Sequence, residues 1–156
     1  MKTSKLVYSQ CFDEYKLTDA NVKKLQDVLL NIFVDVKNVC DENNITYMMA
    51  GGSLLGTIRH KGFIPWDDDI DLMMTRTEYE KFRTIFTDKL SDKYILADPS
   101  FSDNYFNKMP KIYKKNTNYV ELSTMNVPTY DMIFIDIFII ENIPNSFLYK
   151  NYTLKK

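Results

Sequence analysis

Residues 132–140 read MIFIDIFII, nine residues in which the single charged side chain, Asp136, stands at the centre. Apolar residues at both parities of so short a run predict a strand covered on both faces, as in the middle of a sheet. A carboxylate buried there without a partner costs several kcal/mol. The fold must therefore bring Asp136 a cation, a donor network or a cleft at the strand end. A structural salt bridge is the simplest partner, and a metal ion shared with other acids explains the placement better.

Such acids occur in WDDDIDLMM, residues 66–74. Ile70, Leu72, Met73 and Met74 mark a buried strand from Asp69 to Met74. Alternate side chains of a strand share a face, so Asp69 and Asp71 point the same way, with Cα atoms roughly 6.6 Å apart. Asp67 has the same parity but follows Pro65-Trp66 and falls in the turn, where it is an additional candidate; Asp68 has the opposite parity and reads as solvated or capping. Asp69, Asp71 and Asp136 are the expected catalytic and metal-ligating residues. Three convergent carboxylates repel one another without a cation. Magnesium, with manganese as its substitute, suits a site of few carboxylates completed by water or phosphate oxygens.

A strand over Ile45–Ala50 runs into Gly51-Gly52-Ser53, and a short helix is expected from Ser53 to His60. A glycine pair between strand and helix lets backbone N–H groups approach a phosphate at the helix N-terminus. Arg59 is the first candidate for a phosphate clamp, because its planar fork matches phosphate oxygens. His60, the one histidine, reads as a structural or surface residue as readily as a catalytic one. Lys108, Lys111, Lys114 and Lys115 form a second basic group mostly on a solvated face, with Lys111 the phosphate-binding candidate. Trp66 can stack on a base, pack on a quaternary ammonium, or anchor its own loop.

The remaining elements follow from periodicity. Residues 19–42 form a helix with Thr18 as N-cap and Val22, Leu25, Leu29, Ile32, Val36, Val39 and Cys40 on its buried side. Thr75 opens a second long helix, with Glu78 completing a capping box. Tyr94–Ala97 reads as a strand, 98–110 as a loop, and 111–115 and 118–122 as strand-like pieces. The fold class is α/β (α+β), a mixed sheet flanked by helices. A net charge of −1 lacks the basic surplus of a nucleic-acid binder. Two cysteines, Cys11 and Cys40, are too few for a disulfide framework. No apolar run is long enough for a signal peptide or a membrane span, so the cytoplasm is the expected compartment.

The block GGSLLGTIRHKGFIPWDDDIDLMMTRTEYEKF, residues 51–82, resembles the signature of the LicD family, and MIFIDIFII resembles that family's second acidic strand. KIYKKNT, 111–117, is a looser match, and the resemblance runs from about Leu17 to Pro144. It implies a nucleotidyltransferase-like domain over 19–144, preceded by an extension (1–18) and followed at 145–156 by the start of a truncated C-terminal helical portion. The activity it implies is transfer of a phospho-alcohol group, typically phosphocholine from CDP-choline, to a hydroxyl of a cell-surface glycan such as lipopolysaccharide or teichoic acid, with release of CMP. Relatives in the fukutin group use CDP-ribitol. Asp69 and Asp71 would then hold magnesium on the diphosphate, Asp136 would complete the metal site or take the acceptor's proton, and Arg59 would neutralise the leaving CMP. The work would be done in the cytoplasm, at the inner face of the membrane by peripheral association. Ile139, Ile140 and Glu141 stand where the family commonly shows Pro and Asp. The alternatives are a nucleotidyltransferase proper, moving an NMP group onto a small molecule or protein, and a non-catalytic remnant.

Overall fold

The computed structural model describes residues 17–103, 105–121 and 129–142. The expected helical start at 145–156 and nearly all of the expected extension at 1–18 lie outside them.

Helix α1 spans Asp19–Glu42, and Thr18 Oγ1 accepts the Asn21 N–H at 3.3 Å, so the expected cap is formed. Strand β1 (Met48–Met49) leads through Ala50 into α2 (Gly51–His60), and β2 (Asp71–Thr75) leads directly into α3 (Arg76–Leu90). Three strands follow: β3 (Tyr94–Ala97), β4 (Lys111–Lys114) and β5 (Phe134–Ile140). The sheet order is β1-β2-β5-β4-β3. The β2–β5 pair is parallel and the other three pairs are antiparallel, which makes the sheet mixed. The apolar run around Asp136 is the central strand, as its two-sided hydrophobicity predicts.

Residue parity divides the sheet faces. Leu72, Met74, Ile112, Ile135 and Ile137 point to one side and are fully buried, in a cluster with Leu29, Ile32 and Val36 of α1 and Tyr79, Phe82 and Phe86 of α3. The opposite face carries Asp71, Asp136 and Lys111, together with a smaller cluster built on Ala97, Tyr105 and Tyr113. The helical side supplies the core, and the site is presented on the other side.

Several boundaries differ from expectation, two of them because a side chain takes a backbone group that the ladder would have used. The Thr46 N–H donates to Glu78 Oε2 at 2.8 Å, so β1 shortens from 45–50 to two residues and Glu78 does not close a capping box; Thr75 Oγ1 still caps α3. The strand expected from Asp69 begins at Asp71, because a turn in which the Asp67 N–H donates to the Ile64 carbonyl at 2.9 Å precedes it. Residues 118–121 are not a strand: Ile133 N–H donates to Thr117 Oγ1 at 3.0 Å, leaving one bridge from Tyr119 N–H to Asp131 O. Strand β5 accordingly starts at Phe134 rather than Met132, and α2 starts at Gly51 rather than Ser53.

Helix α2 ends on Lys61 in the left-handed region (φ 59°), which folds 62–64 back across Gly56. A Cβ on Gly56 would lie 2.6 Å from Gly62 O and 3.0 Å from Ile64 N. Glycine to alanine inside a helix ordinarily gains up to about 1 kcal/mol. Here the contact is with backbone, so Gly56→Ala should instead lose about 1–3 kcal/mol, the usual cost of overpacking. Urea denaturation measures this; a midpoint equal to or above wild type contradicts the packing described.

Candidate active site

In the parallel β2–β5 pair Asp71 lies opposite Asp136, and in the antiparallel β4–β5 pair Lys111 lies opposite Asp136. Neighbouring strands are about 4.8 Å apart and directly opposed residues share a face. Asp71, Asp136 and Lys111 therefore form a row across three strands. The Lys111 ammonium is buried, 3.1 Å from Asp136 Oδ1 and 3.9 Å from Glu121, and it lies 3.5 Å from the centre of the Phe134 ring. Its hydrogen bond goes to Asp136 Oδ2 at 3.4 Å; Oδ1, despite the close ion contact, is buried without a hydrogen-bond partner.

The other acids arrive on the loop between α2 and β2. Gln26, a buried amide on the inner side of α1, donates to the carbonyls of Ile64 (3.3 Å), Pro65 (3.4 Å) and Asp67 (2.9 Å). This clasp fixes the loop from which Asp67, Asp68 and Asp69 project, and one carboxylate oxygen of each comes within 4.8 Å of the other two. A small cleft opens beside Asp68, Asp69 and Asp136, with Tyr119, Glu121 and Phe134 among its walls.

The glycine pair makes room for these acids. A Cβ on Gly51 would meet Asp71 Oδ2 at 2.6 Å, and one on Gly52 would meet Asp67 Oδ2 at 2.7 Å. Gly51 also has φ 50°, a conformation costly for other residues. Ser53, buried one turn into α2, accepts the Asp71 N–H on its hydroxyl at 2.9 Å and so ties the helix start to the strand start. The N-terminus of α2 has no side-chain cap, so its positive end faces the carboxylates of Asp71 and Asp67.

That dipole does not outweigh crowding and burial. Desolvation, followed by the charges of Asp71, Asp67, Asp68 and Asp136, pushes the Asp69 carboxyl up to about 7. Asp71 is raised by desolvation and by Asp136 and Asp67, against a smaller opposing pull from Lys111. Desolvation also raises Asp136 despite Lys111, and raises Asp67 with help from Asp68.

Asp71 and Asp136 thus form a half-buried pair of acids on adjacent parallel strands, next to a Gly-Gly helix start. The family model described as LicD/FKTN/FKRP, nucleotidyltransferase domain, matches residues 44–155. The chain belongs to this family. It is 36% identical over 125 residues to the lipopolysaccharide cholinephosphotransferase LicD of Haemophilus influenzae, a match covering 80% of this chain and 46% of that protein. An uncharacterized protein of Rickettsia typhi is 29% identical over 156 residues, covering 90% of this chain and 44% of the other. The human ribitol 5-phosphate transferase FKRP is 49% identical over 37 residues, 24% of this chain and 8% of that one. The chain thus spans a little under half the length of the first two relatives.

Not every family-motif residue reaches the acids. Asp69, Asp71, Asp136, Asp67, Gly51, Gly52, Ser53 and Lys111 are gathered in one place. Arg59 and His60 are exposed on the last turn of α2, with Arg59 Nε donating to His60 Nε2 at 3.0 Å. That turn is about 12 Å along the helix axis from Gly51. The phosphate clamp expected of Arg59 is therefore not supported by its position, and Lys111 is the cation found against the carboxylates. Trp66 is 74% exposed on the loop surface. Asp68, expected to be merely solvated, is exposed but also stands in the carboxylate group with Asp67 and Asp69. Gln26 was not singled out from sequence, although a polar residue inside the apolar stripe of α1 was the available signal.

The donor set fits a hard divalent cation. It consists of carboxylate oxygens, and two of them, Asp67 Oδ2 and Asp136 Oδ1, are buried without hydrogen-bond partners. Without such a cation the cluster should work against folding. A carboxyl raised above its unfolded value keeps its proton in the folded state after the unfolded chain has lost it, so stability falls as pH rises from about 4 to about 7. Urea titrations in chelator should show this decline, with Asp69→Asn flattening it and matching or exceeding wild-type stability at pH 7. A wild type that gains stability over that interval contradicts the electrostatic account.

Proposed function

We propose that this protein is a metal-dependent transferase that moves a phospho-alcohol group, phosphocholine foremost, from a CDP-alcohol to a hydroxyl of a cell-surface glycan and releases CMP. The observation that carries the reading is the side-by-side placement of Asp71 and Asp136 on β2 and β5, with buried carboxylate oxygens that lack hydrogen-bond partners at a cleft, in a chain of the LicD/FKTN/FKRP family. The names of the Haemophilus and human relatives, a cholinephosphotransferase and a ribitol 5-phosphate transferase, favour an alcohol phosphate over a nucleotide as the transferred group.

Asp69 and Asp71, with Asp136 and Asp67 beside them, would hold magnesium. The ion supplies charge neutralisation on the diphosphate and on the departing CMP oxygen. The bare N-terminus of α2 offers its first N–H groups to a phosphate oxygen beside the same acids. The acceptor oxygen attacks the phosphorus bearing the alcohol, the bond from that phosphorus to the CMP oxygen breaks, and the acceptor proton passes to a carboxylate. Asp136 suits that last task, since burial raises its affinity for a proton even though Lys111, 3.1 Å away, pulls the other way. Gln26 and Ser53 position the acids through backbone contacts alone.

This reading puts the work in the cytoplasm, in peripheral contact with the inner face of the membrane. Among the described residues no helix is long and apolar enough to cross a membrane. The exposed Leu54, Leu55, Ile58 and Trp66, with Arg59 and Lys61 close in sequence, support a peripheral contact.

Calorimetry with CDP-choline tests the donor site. Binding should require magnesium and should weaken by at least about tenfold, or roughly 1.4 kcal/mol, in Asp71→Asn. The phosphate product should be CMP. Equal affinity in chelator, or pyrophosphate release from a nucleoside triphosphate in place of CMP, would sink the proposal.

A further inference from the structure

Not all the apolar residues of α1 belong to its buried stripe. Leu30 and Val34 point away from the side that carries Leu29, Ile32 and Val36, and they are 48% and 40% exposed. They form the centre of a second stripe, Lys23, Asp27, Leu30, Val34, Lys37 and Asp41, whose spacings alternate four and three. Lys23 and Asp41 are separated by about five helical turns, so the stripe runs along roughly 27 Å of helix surface. Within the chain Lys23 pairs with Asp27 at 3.3 Å and Lys37 pairs with Asp41, and all four side chains remain open to solvent. We propose that this face joins two copies of the chain, their α1 helices packed antiparallel about a two-fold axis at the level of Ile32. The inference is independent of the transferase reading.

The stripe is its own complement. Antiparallel pairing centred on Ile32 sets Leu30 against the partner's Val34, and Val34 against the partner's Leu30. Lys23 then faces the partner's Asp41 and Asp27 faces the partner's Lys37, so every charged position of the stripe meets its opposite. A two-fold contact uses the same patch on both subunits and therefore needs this self-complementarity; a lipid surface or an unrelated protein does not. The parallel arrangement would set lysine on lysine and aspartate on aspartate, and like charges in register disfavour it. Each ion pair within the helix is exposed and contributes little by itself. A second helix gives each of its members another opposite charge and removes the apolar pair at the centre from water. Half-buried Phe33, its ring 6.0 Å from that of Tyr47, widens the apolar strip along one edge. Leu25 and Leu29, which line the cleft, lie on the other side of α1, so both clefts stay open in the pair.

Sedimentation equilibrium of the full chain from about 10 μM to about 1 mM tests the pairing, a range set by the small size of a single helix contact. Wild type should pass from one chain mass to twice that mass and no further, because a two-fold contact closes on itself. Leu30→Glu and, independently, Lys23→Glu should each weaken the dimer by about tenfold or more, since every substitution counts twice across the axis. Both positions are exposed, so the urea midpoint should stay near wild type. Combining Lys23→Glu with Asp41→Lys should restore the dimer. That exchange makes both pairs within the helix repulsive, so recovery can come only from the contact between copies. A wild type that stays monomeric at about 1 mM leaves the face to another occupant and overturns the inference. So does a dimer indifferent to Leu30→Glu, or a loss in Lys23→Glu that the double exchange does not recover.

Discussion

The parallel pairing of β2 with β5 is the contact on which the rest of the molecule depends. Its register sets Asp71 against Asp136 on one face and Leu72 against Ile137 on the other. A slip of one residue would turn the acids into the helical core and the core residues into the cleft. The fully buried Leu72, Met74, Ile135 and Ile137, packed under α1 and α3, therefore determine where the carboxylates go. Packing on one side of the sheet is what specifies chemistry on the other.

The acids themselves oppose folding, and the surrounding structure is arranged to tolerate them. Lys111 meets Asp136 from the next strand, the uncapped start of α2 faces Asp71 and Asp67, and Gln26 restrains the loop carrying Asp67–Asp69. None of these fully compensates, because Asp67 and Asp136 each keep a buried oxygen without a hydrogen-bond partner. Residual repulsion of this kind is expected where a cation completes a site rather than decorates it. A second buried acid shows the contrast. Asp98 accepts from the Tyr79 hydroxyl, from Ser100 N–H at 2.7 Å and from Ser100 Oγ at 2.5 Å, and although burial works to raise its carboxyl, these bonds hold it below its ordinary value.

Much of this was legible in the sequence, for reasons that differ by element. The stripe of α1 and the two-sided hydrophobicity around Asp136 are periodic signals, and both elements appear close to where periodicity puts them. The acids of 67–71 were legible as a group, but their geometry was not. Asp69 and Asp71 do not share a strand, since the chain reaches Asp71 through a turn held by α1. Tertiary hydrogen bonds also decided β1 and the segment 118–121, where Glu78 and Thr117 took backbone groups that local propensity would have assigned to a ladder. Arg59 and Lys111 show the same limit. Both are cations near the motif by type, and only the sheet register brings the second to the acids while helix length carries the first away.

The central claim is that the acids around Asp71 and Asp136 form a divalent cation site. The most direct measurement is anomalous diffraction from crystals of the protein soaked in manganese. The account predicts one dominant peak in contact with the carboxylates of both Asp71 and Asp136, absent from Asp136→Asn crystals treated identically. A dominant peak elsewhere on the chain, or a peak that persists unchanged without the Asp136 carboxylate, would contradict it.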